Sequence, residues 1–319
     1  MNDRRPHPLR PHPHHFHDRQ RGHDHAAKTH AVHRLGLGLC QRTGIKMTAQ
    51  TEAKLLRIFG KLPPGRLLDW VSELERLPHN HPEWLAVIEN LTVHETFFFR
   101  DGAQFEMLRR SVLPHLVAAA AAKDRRLRVW SAGCASGEEA YTVAILLMET
   151  LLEMGEATGT PETGISPARG WRVEVVGTDI SRHMVEIARQ GLYLTGEMSA
   201  FRSLPSPYER WFEDVFVDEA GGQARRRVRP WLKSFTRFQQ LNLAFAEQPP
   251  EANFQLVLCR NVFIYLSVEA QNAAQTAFSN TLQENGVLVL GATDRLALPE
   301  HFQTEWDGDS MVYRRLPRS

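Results

Sequence analysis

Residues 128–141, RVWSAGCASGEEAY, decide how this chain is read. Residues 129–131 have the apolar character of the end of a buried strand, and Gly133, its small neighbours and Gly137 form a tight turn into an apolar helical run at 141–152. A strand, a glycine turn and a helix make a nucleotide-type pocket, because glycine lets the backbone approach a ligand while the first helical turn presents unpaired N–H groups. Glu138 and Glu139 depart from a phosphate cradle. Two carboxylates on the first turn repel a phosphate and suit a cation. S-adenosylmethionine, with a sulfonium, an ammonium and a ribose but no phosphate, meets both requirements. The plainer alternative is an ordinary strand-to-helix turn whose acids favour the helix dipole.

Strand and helix continue to alternate downstream. Residues 171–180 (WRVEVVGTDI) read as a second strand ending at Asp179, with Ser181 capping a helix that runs to Gly191. An acid at that strand end is placed for ribose hydroxyls. The Gly/Pro/Thr-rich stretch at 156–170 reads as a surface loop. Residues 197–240 break the alternation: VFVDEAGGQARRRVRP has two short extended runs about Gly221-Gly222, a hairpin carrying Arg225, Arg226, Arg227 and Arg229, and is expected to be an insertion. Such a hairpin either grips an acidic partner or keeps an exposed edge from pairing. Residues 256–258 of FQLVLCRNVFIYL read as a central strand, with Arg260, Asn261 and Tyr265 at its carboxyl end, where open parallel sheets bind ligands. A helix at 269–282 and strands at 286–291 and 310–315 complete an α/β, doubly wound domain.

The whole chain, 319 residues with 24% charged and 42% hydrophobic, is long enough for two domains and a substantial core. A net charge of +1 gives no general attraction to polyanions, so nucleic acid is not implied. Cys40, Cys134 and Cys259 are scattered without CxxC spacing, so neither a disulfide framework nor a metal site is expected, and no apolar run is long enough to span a bilayer. A cytoplasmic monomer is the expected form. Residues 1–30 place His7, His12, His14, His15, His17, His23, His25 and His30 among prolines and arginines, with too few apolar residues to offset ordering entropy; a disordered tail is expected. Residues 32–91 carry helical signals. VHRLGLGLCQRTGI is apolar at helical spacing, Thr51 can cap AKLLRIFGKL, Pro63-Pro64 breaks it, Leu67, Leu68, Val71 and Leu74 repeat, and Pro82 opens a further helix. Lys54, Arg57, Lys61 and Arg66 offer this all-α region a basic face. In LTVHETFFFRD, residues 91–101, three consecutive phenylalanines cannot share one helix face. The expectation is a connector whose rings stack on a ligand or clamp two domains, with the Arg100 fork meeting a carboxylate.

LTVHETFFFRD, SAGCASGEEAYTVA, GTDIS, Asn242-Leu243, LCRNVFIYL and GVLVLGATDRL follow one another in the order seen in CheR-type chemotaxis receptor methyltransferases, which the chain resembles over about residues 32–315. The resemblance implies an S-adenosylmethionine-dependent protein-glutamate O-methyltransferase, releasing S-adenosylhomocysteine. Its fold would be a small all-α domain at 31–90, then a Rossmann-like methyltransferase domain at 91–319 with a β-subdomain inserted at about 197–240. The resemblance also implies cofactor contacts from Thr96, Arg100, Glu139, Asp179, Asn242, Leu243, Arg260 and Asn261, and places Arg100 and Tyr265 at the methyl-transfer centre. The implied partner is the cytoplasmic helical domain of methyl-accepting chemotaxis receptors. Where the family usually shows Asn, this chain has His94. Two other readings stay open on the residues. The arginine-rich hairpin speaks for a methyltransferase with a small-molecule or nucleic-acid substrate, and His94 for a module that senses the cofactor without turnover.

Overall fold

The computed structural model describes residues 14–319 apart from 79–80, 93–94, 216–223, 246–248, 297, 309 and 318–319, with side chains from residue 23 onward. Residues 1–13, His94 and the Gly221-Gly222 turn therefore lie outside the described residues. The chain divides into two compact units, Met1–Arg42 with Lys46–Leu91, and Thr43–Ile45 with Thr92–Ser319.

The first unit is helical: α1 (His14–Thr43), α2 (Ala49–Phe59), α3 (Pro64–Glu75) and α4 (Pro82–Leu91). The apolar positions with helical spacing are the buried ones, Leu35 and Leu39 on α1, Leu55 on α2, Leu67, Val71 and Leu74 on α3, and Trp84 and Val87 on α4. Trp84 satisfies its indole by donating to the Leu74 carbonyl at 2.8 Å, while the Arg42 guanidinium covers its ring at 4.1 Å. Three expectations are corrected here. Helix α1 begins at His14, so residues 14–30 are helical rather than disordered; Lys28 ties this half to α2 by donating to the Gly60 carbonyl at 2.7 Å. The cap of α2 is Thr48, whose hydroxyl accepts from the Thr51 amide, which puts Thr51 inside the helix. Lys54 does not belong to a free basic face: its ammonium donates to the Leu91 carbonyl at 2.6 Å, and burial lowers its pKa.

The second unit opens with α5 (Gly102–Met107), a π-helical turn and α6 (Leu113–Ala121). Then follow β1 (Arg126–Ala132), α7 (Glu138–Glu153), β2 (Ala157–Thr160), β3 (Gly164–Pro167), β4 (Arg172–Asp179), α8 (Arg182–Gln190), β5 (Leu192–Leu194), β6 (Phe212–Val215) and β7 (Arg225–Val228). The chain ends with α9 (Pro230–Lys233), β8 (Thr236–Gln240), β9 (Phe254–Cys259), α10 (Val268–Thr281), β10 (Leu282–Leu290), β11 (Phe302–Asp307) and β12 (Ser310–Arg315). Among the described residues the main sheet has seven strands in the order β11-β12-β10-β9-β1-β4-β8. The five from β10 to β8 are parallel, and β12 and β11 close one edge antiparallel. From β1 the chain builds outward through β4 to β8, then returns to the other side of β1 to add β9 and β10. This makes a topological switch point between β1 and β9, at the strands' carboxyl ends.

Period-two alternation explains why both sheet faces are covered. Leu127, Val129, Leu256 and Leu258 face a core shared with α6 and α7, while Trp130, Val257, Leu288 and Leu290 face one shared with Phe263 and α10. No helix among the described residues is long and apolar enough to cross a membrane.

The insertion is a separate three-stranded sheet, β5-β7-β6. Its extent corrects the reading of 197–240, because β8 lies in the main sheet beside β4, paired from Val175↔Thr236 to Asp179↔Gln240. Two of the three arginines of β7 face acids on β6, Arg226 pairing with Asp214 at 2.8 Å and Arg227 with Glu213 at 2.7 Å, and Arg229 just past the strand lies 3.6 Å from Glu213. The stretch read as a loop at 156–170 contains the β2-β3 hairpin, and β11 was not anticipated at all.

Candidate active site

The carboxyl ends of β1, β4, β8, β9 and β10 converge on one rim, and most of the residues singled out by sequence lie there. After β1, Gly133 and Gly137 take left-handed backbone with φ +80° and +95°, as the tight turn requires. At Gly133 a Cβ would lie 2.4 Å from Val262. The amides of Gly133 and Cys134 both donate to the Thr178 carbonyl of β4, so the turn folds back over the next strand.

Asp179 closes this arrangement from the end of β4. It is 7% exposed, with Oδ2 accepting from the Ala135 amide and Oδ1 from the Ser181 amide, both at 2.9 Å. The neighbouring β8 leads into Asn242 and Leu243, joined to β4 by the Leu241 amide donating to the Asp179 carbonyl at 2.9 Å. Asn242 Oδ1 accepts from the Ala244 amide at 3.0 Å, shaping a tight turn, and Leu243 is buried.

Arg260, at the end of β9, is the hub of the other half. Its Nε donates to Gln104 Oε1 at 2.7 Å, Nη1 to Glu139 Oε2 at 3.2 Å, and Nη2 to Asp101 Oδ2 at 2.9 Å and to the Arg100 carbonyl. The guanidinium also covers the Phe105 ring at 4.5 Å. Every arm of the fork is thus engaged inside the protein, and Arg260 joins three separate stretches of chain. Gln104 extends the link by donating to the carbonyl of Leu290, at the end of β10. Glu139 accepts from Ser131 at 2.7 Å as well as from Arg260; burial raises its pKa, and the Arg260 charge and the Ser131 hydroxyl oppose the rise.

Glu138 has a different environment. It is 3% exposed and accepts from Ser136 Oγ at 2.8 Å; burial pushes its carboxyl up to about 7, against the Ser136 and Thr96 hydroxyls. Thr96 therefore meets Glu138, and Arg100 lies close enough to Glu139 to lower its pKa. Asn261 has φ +59°. Its amide and that of Gly291 act on the carboxylate of Asp294, whose burial nonetheless pushes it up to about 6. Tyr265 is 38% exposed on a short 3-10 turn.

Phe99, Asp101, Ala135 and Asn261 are four of the seven non-glycine residues with positive φ among those described, and all four flank this rim. Strained backbone of this kind gathers where side chains must be held against their local preference. The phenylalanine expectation needs correction. Phe98 and Phe99 are buried, Phe98 among Tyr193, Phe201 and Phe212, and Phe99 between Phe105 and Tyr208. Their rings anchor residues 97–101 to the inserted sheet and its approach, a clamp within the second unit rather than between two domains. Phe97 is the half-buried member, with the Arg202 guanidinium 3.8 Å from its ring centre. Sequence reasoning missed Gln104, passed over Ser131 and Asp294 inside motifs it quoted, and undervalued Glu138 and Asp101, which stand beside residues it selected.

Comparison with known proteins agrees with this geometry. The family described as CheR methyltransferase, SAM binding domain, matches residues 94–308. Chemotaxis protein methyltransferase 1 of Pseudomonas aeruginosa is 34% identical over 229 residues, 72% of this chain and 76% of that protein. Chemotaxis protein methyltransferase 1 of Vibrio cholerae is 30% identical, covering 72% and 75%, and the chemotaxis protein methyltransferase of Borreliella burgdorferi 27% identical, covering 72% and 73%. A Rossmann-like sheet with a carboxylate-lined switch point, matched over two thirds of its length, places the chain in the CheR family of S-adenosylmethionine-dependent methyltransferases.

Proposed function

We propose that this enzyme works in the cytoplasm, esterifying glutamate side chains on the helical domain of chemotaxis receptors. Residues 91–319 form the catalytic domain in this reading, and the all-α region at about 31–90 docks the receptor. The observation that carries the proposal is the charge arrangement at the switch point. Glu139 and Asp179 share a rim with Arg100, and the residues assigned to the site include no cysteine or histidine nucleophile. Such a rim suits a cationic donor set against an acceptor that is already anionic.

S-adenosylmethionine, when bound, supplies a methyl group on a cationic sulfur. The residues present fit this group: the turn admits glycine alone at position 133, and carboxylates line it in place of a basic phosphate cluster. Thr96, Arg100, Glu139, Asp179, Asn242, Leu243, Arg260 and Asn261 are assigned to hold it. Arg260 contributes by fixing Glu139 and Asp101, since its own donors are engaged.

A glutamate side chain has a reference pKa of about 4.3, so the acceptor is ionised at neutral pH and needs no general base. Arg100 orients that carboxylate with its planar fork, and Tyr265, exposed beyond β9, lines its approach. Alignment of this kind supplies several kcal/mol, up to about 7–11 in ideal cases. Arg226 and Arg227 of β7 are paired with acids on β6, which weakens the case for a polyanionic substrate.

The Tyr265→Phe variant tests the assignment. Single-turnover methylation of receptor-bearing membranes is expected to slow by about tenfold, the equivalent of one hydrogen bond in the transition state, while S-adenosylhomocysteine affinity is retained. A wild-type rate in the variant removes Tyr265 from the centre. Absence of transfer by the wild-type enzyme leaves the cofactor-sensing reading.

A further inference from the structure

Thr43 ends helix α1 and Gly44 and Ile45 follow it, and these three residues belong to the second unit. The contacts of these three residues are specific. The Ser267 amide donates to the Gly44 carbonyl at 2.8 Å, and Ile45 bridges Leu266 in antiparallel fashion. Ser267 is at the same time the N-cap of α10. Gly44 holds a left-handed φ of +71°, and a Cβ there would lie 2.4 Å from Ala244 Cβ and 2.6 Å from Ala270 Cβ. The segment is thus wedged between the first turn of α10 and the turn at 242–245, at a distance only glycine allows. Ile45 and Ala244 both pack against the apolar cluster that contains Leu243, Phe263 and Leu266.

We propose that Gly44 and Ile45 form a positioning strap for the cofactor loop. The side chain of Asn242 is set by the amide of Ala244, and Ala244 rests on Gly44. Anything that lifts the strap shifts Ala244, and with it Asn242 and Leu243. The strap thereby sets cofactor affinity, without touching the acceptor side. This inference rests on the reading that Asn242 and Leu243 hold S-adenosylmethionine, and it gives a catalytic reason for the tight seat of the linker.

The test is calorimetric titration of S-adenosylhomocysteine into full-length variants whose folding is followed by thermal denaturation. Gly44→Ala is expected to weaken binding by roughly tenfold, on the scale at which small misplacements of positioning groups act. Ala244→Gly in the same chain is expected to restore most of the loss, because it removes the nearest clash. Ile45→Ala, which introduces no clash, is expected to weaken binding several-fold and settles the question if Gly44→Ala does not fold. Gly65→Ala, at a helical glycine with nothing within 4 Å of its Cβ position, serves as the control and is expected to bind as wild type. Wild-type affinity in a folded Gly44→Ala chain, or in Ile45→Ala, overturns the proposal. So does a loss in Gly44→Ala that Ala244→Gly fails to relieve, because backbone strain or the Ala270 contact, and not Ala244, then accounts for it. Asn242→Ala and Asp179→Ala separate this outcome from failure of the underlying site. If both bind normally the site assignment is wrong, whereas if they bind weakly and the strap variants do not, the strap alone is.

Discussion

Glu138 and Glu139 are neighbours in sequence with different surroundings in the fold. Adjacent helix positions point about 100° apart, so one carboxylate meets Ser136 and Thr96 while the other meets Ser131 and Arg260. The acidic first turn and the ligand charge it suits were legible in the sequence, because glycine spacing and carboxylates are visible there. It did not reveal that Glu138 is buried without an arginine as a direct partner, which depends on what packs over the turn. The consequence is a pH dependence. Glu138 ionises near 7 in the folded chain against 4.5 in its ordinary state, so between these values the native state keeps a proton that the unfolded state has lost. Stability from this group is greatest at low pH and falls as pH rises through that window, by at most about 1.4 kcal/mol per pH unit. Glu138→Gln removes the slope. Denaturant titrations from pH 5 to pH 8 are expected to show wild type losing stability relative to the variant, and parallel profiles would count against this placement of the charge.

The element scale turns on the segment from Phe97 to Phe105. Sequence marked it as unusual, since three phenylalanines in a row fit no helix face, but adjacency cannot say which ring is core and which is half-exposed. The answer is positional: Phe98 packs with rings from the inserted sheet and its approach, Phe99 meets Tyr208, and Arg260 clamps the next two residues. Removing that clamp leaves Glu139 partly buried without its cation. Arg260→Met is expected to destabilise the protein by about 3–5 kcal/mol, the range for breaking a buried pair from one side. Adding Glu139→Gln should recover part of the loss, and strictly additive effects in the double variant would show that the two groups are uncoupled. The central strands β1, β4 and β9 were legible because continuous apolar runs announce burial on both faces. Strands β8 and β11 lie at the sheet edges with few buried residues, and β2 and β3 are four residues each, so their periodicity is too weak to separate from loop.

At the scale of the whole molecule, strand order rather than any one motif defines the site. The order was only partly readable: alternation of strand and helix indicated a doubly wound sheet, while the assignment of β8 to that sheet depends on pairing with β4. The helical unit was legible from its apolar spacing, whereas the helix through residues 14–30 was hidden by a polar, histidine-rich composition. Of the basic residues expected on that unit, Arg57, Lys61 and Arg66 are exposed, and Arg57 and Lys61 are the ones proposed to dock on an acidic receptor helix. Their effect should fall on encounter rate, since exposed pairs add little affinity singly and are screened beyond about 8 Å at physiological salt. Reversing both charges is expected to raise the KM for receptor at low salt and flatten its salt dependence, with cofactor affinity unchanged. An unchanged KM at low salt would remove this face from docking. The central claim is that the methyl group reaches a receptor glutamate as an ester. Incubation of the enzyme with methyl-labelled S-adenosylmethionine and receptor-bearing membranes, followed by peptide mass spectrometry before and after mild base, tests it most directly. The prediction is label on glutamates of the cytoplasmic receptor helices, released as methanol by base; label that survives base, or that appears on another macromolecule and not on the receptor, would contradict it.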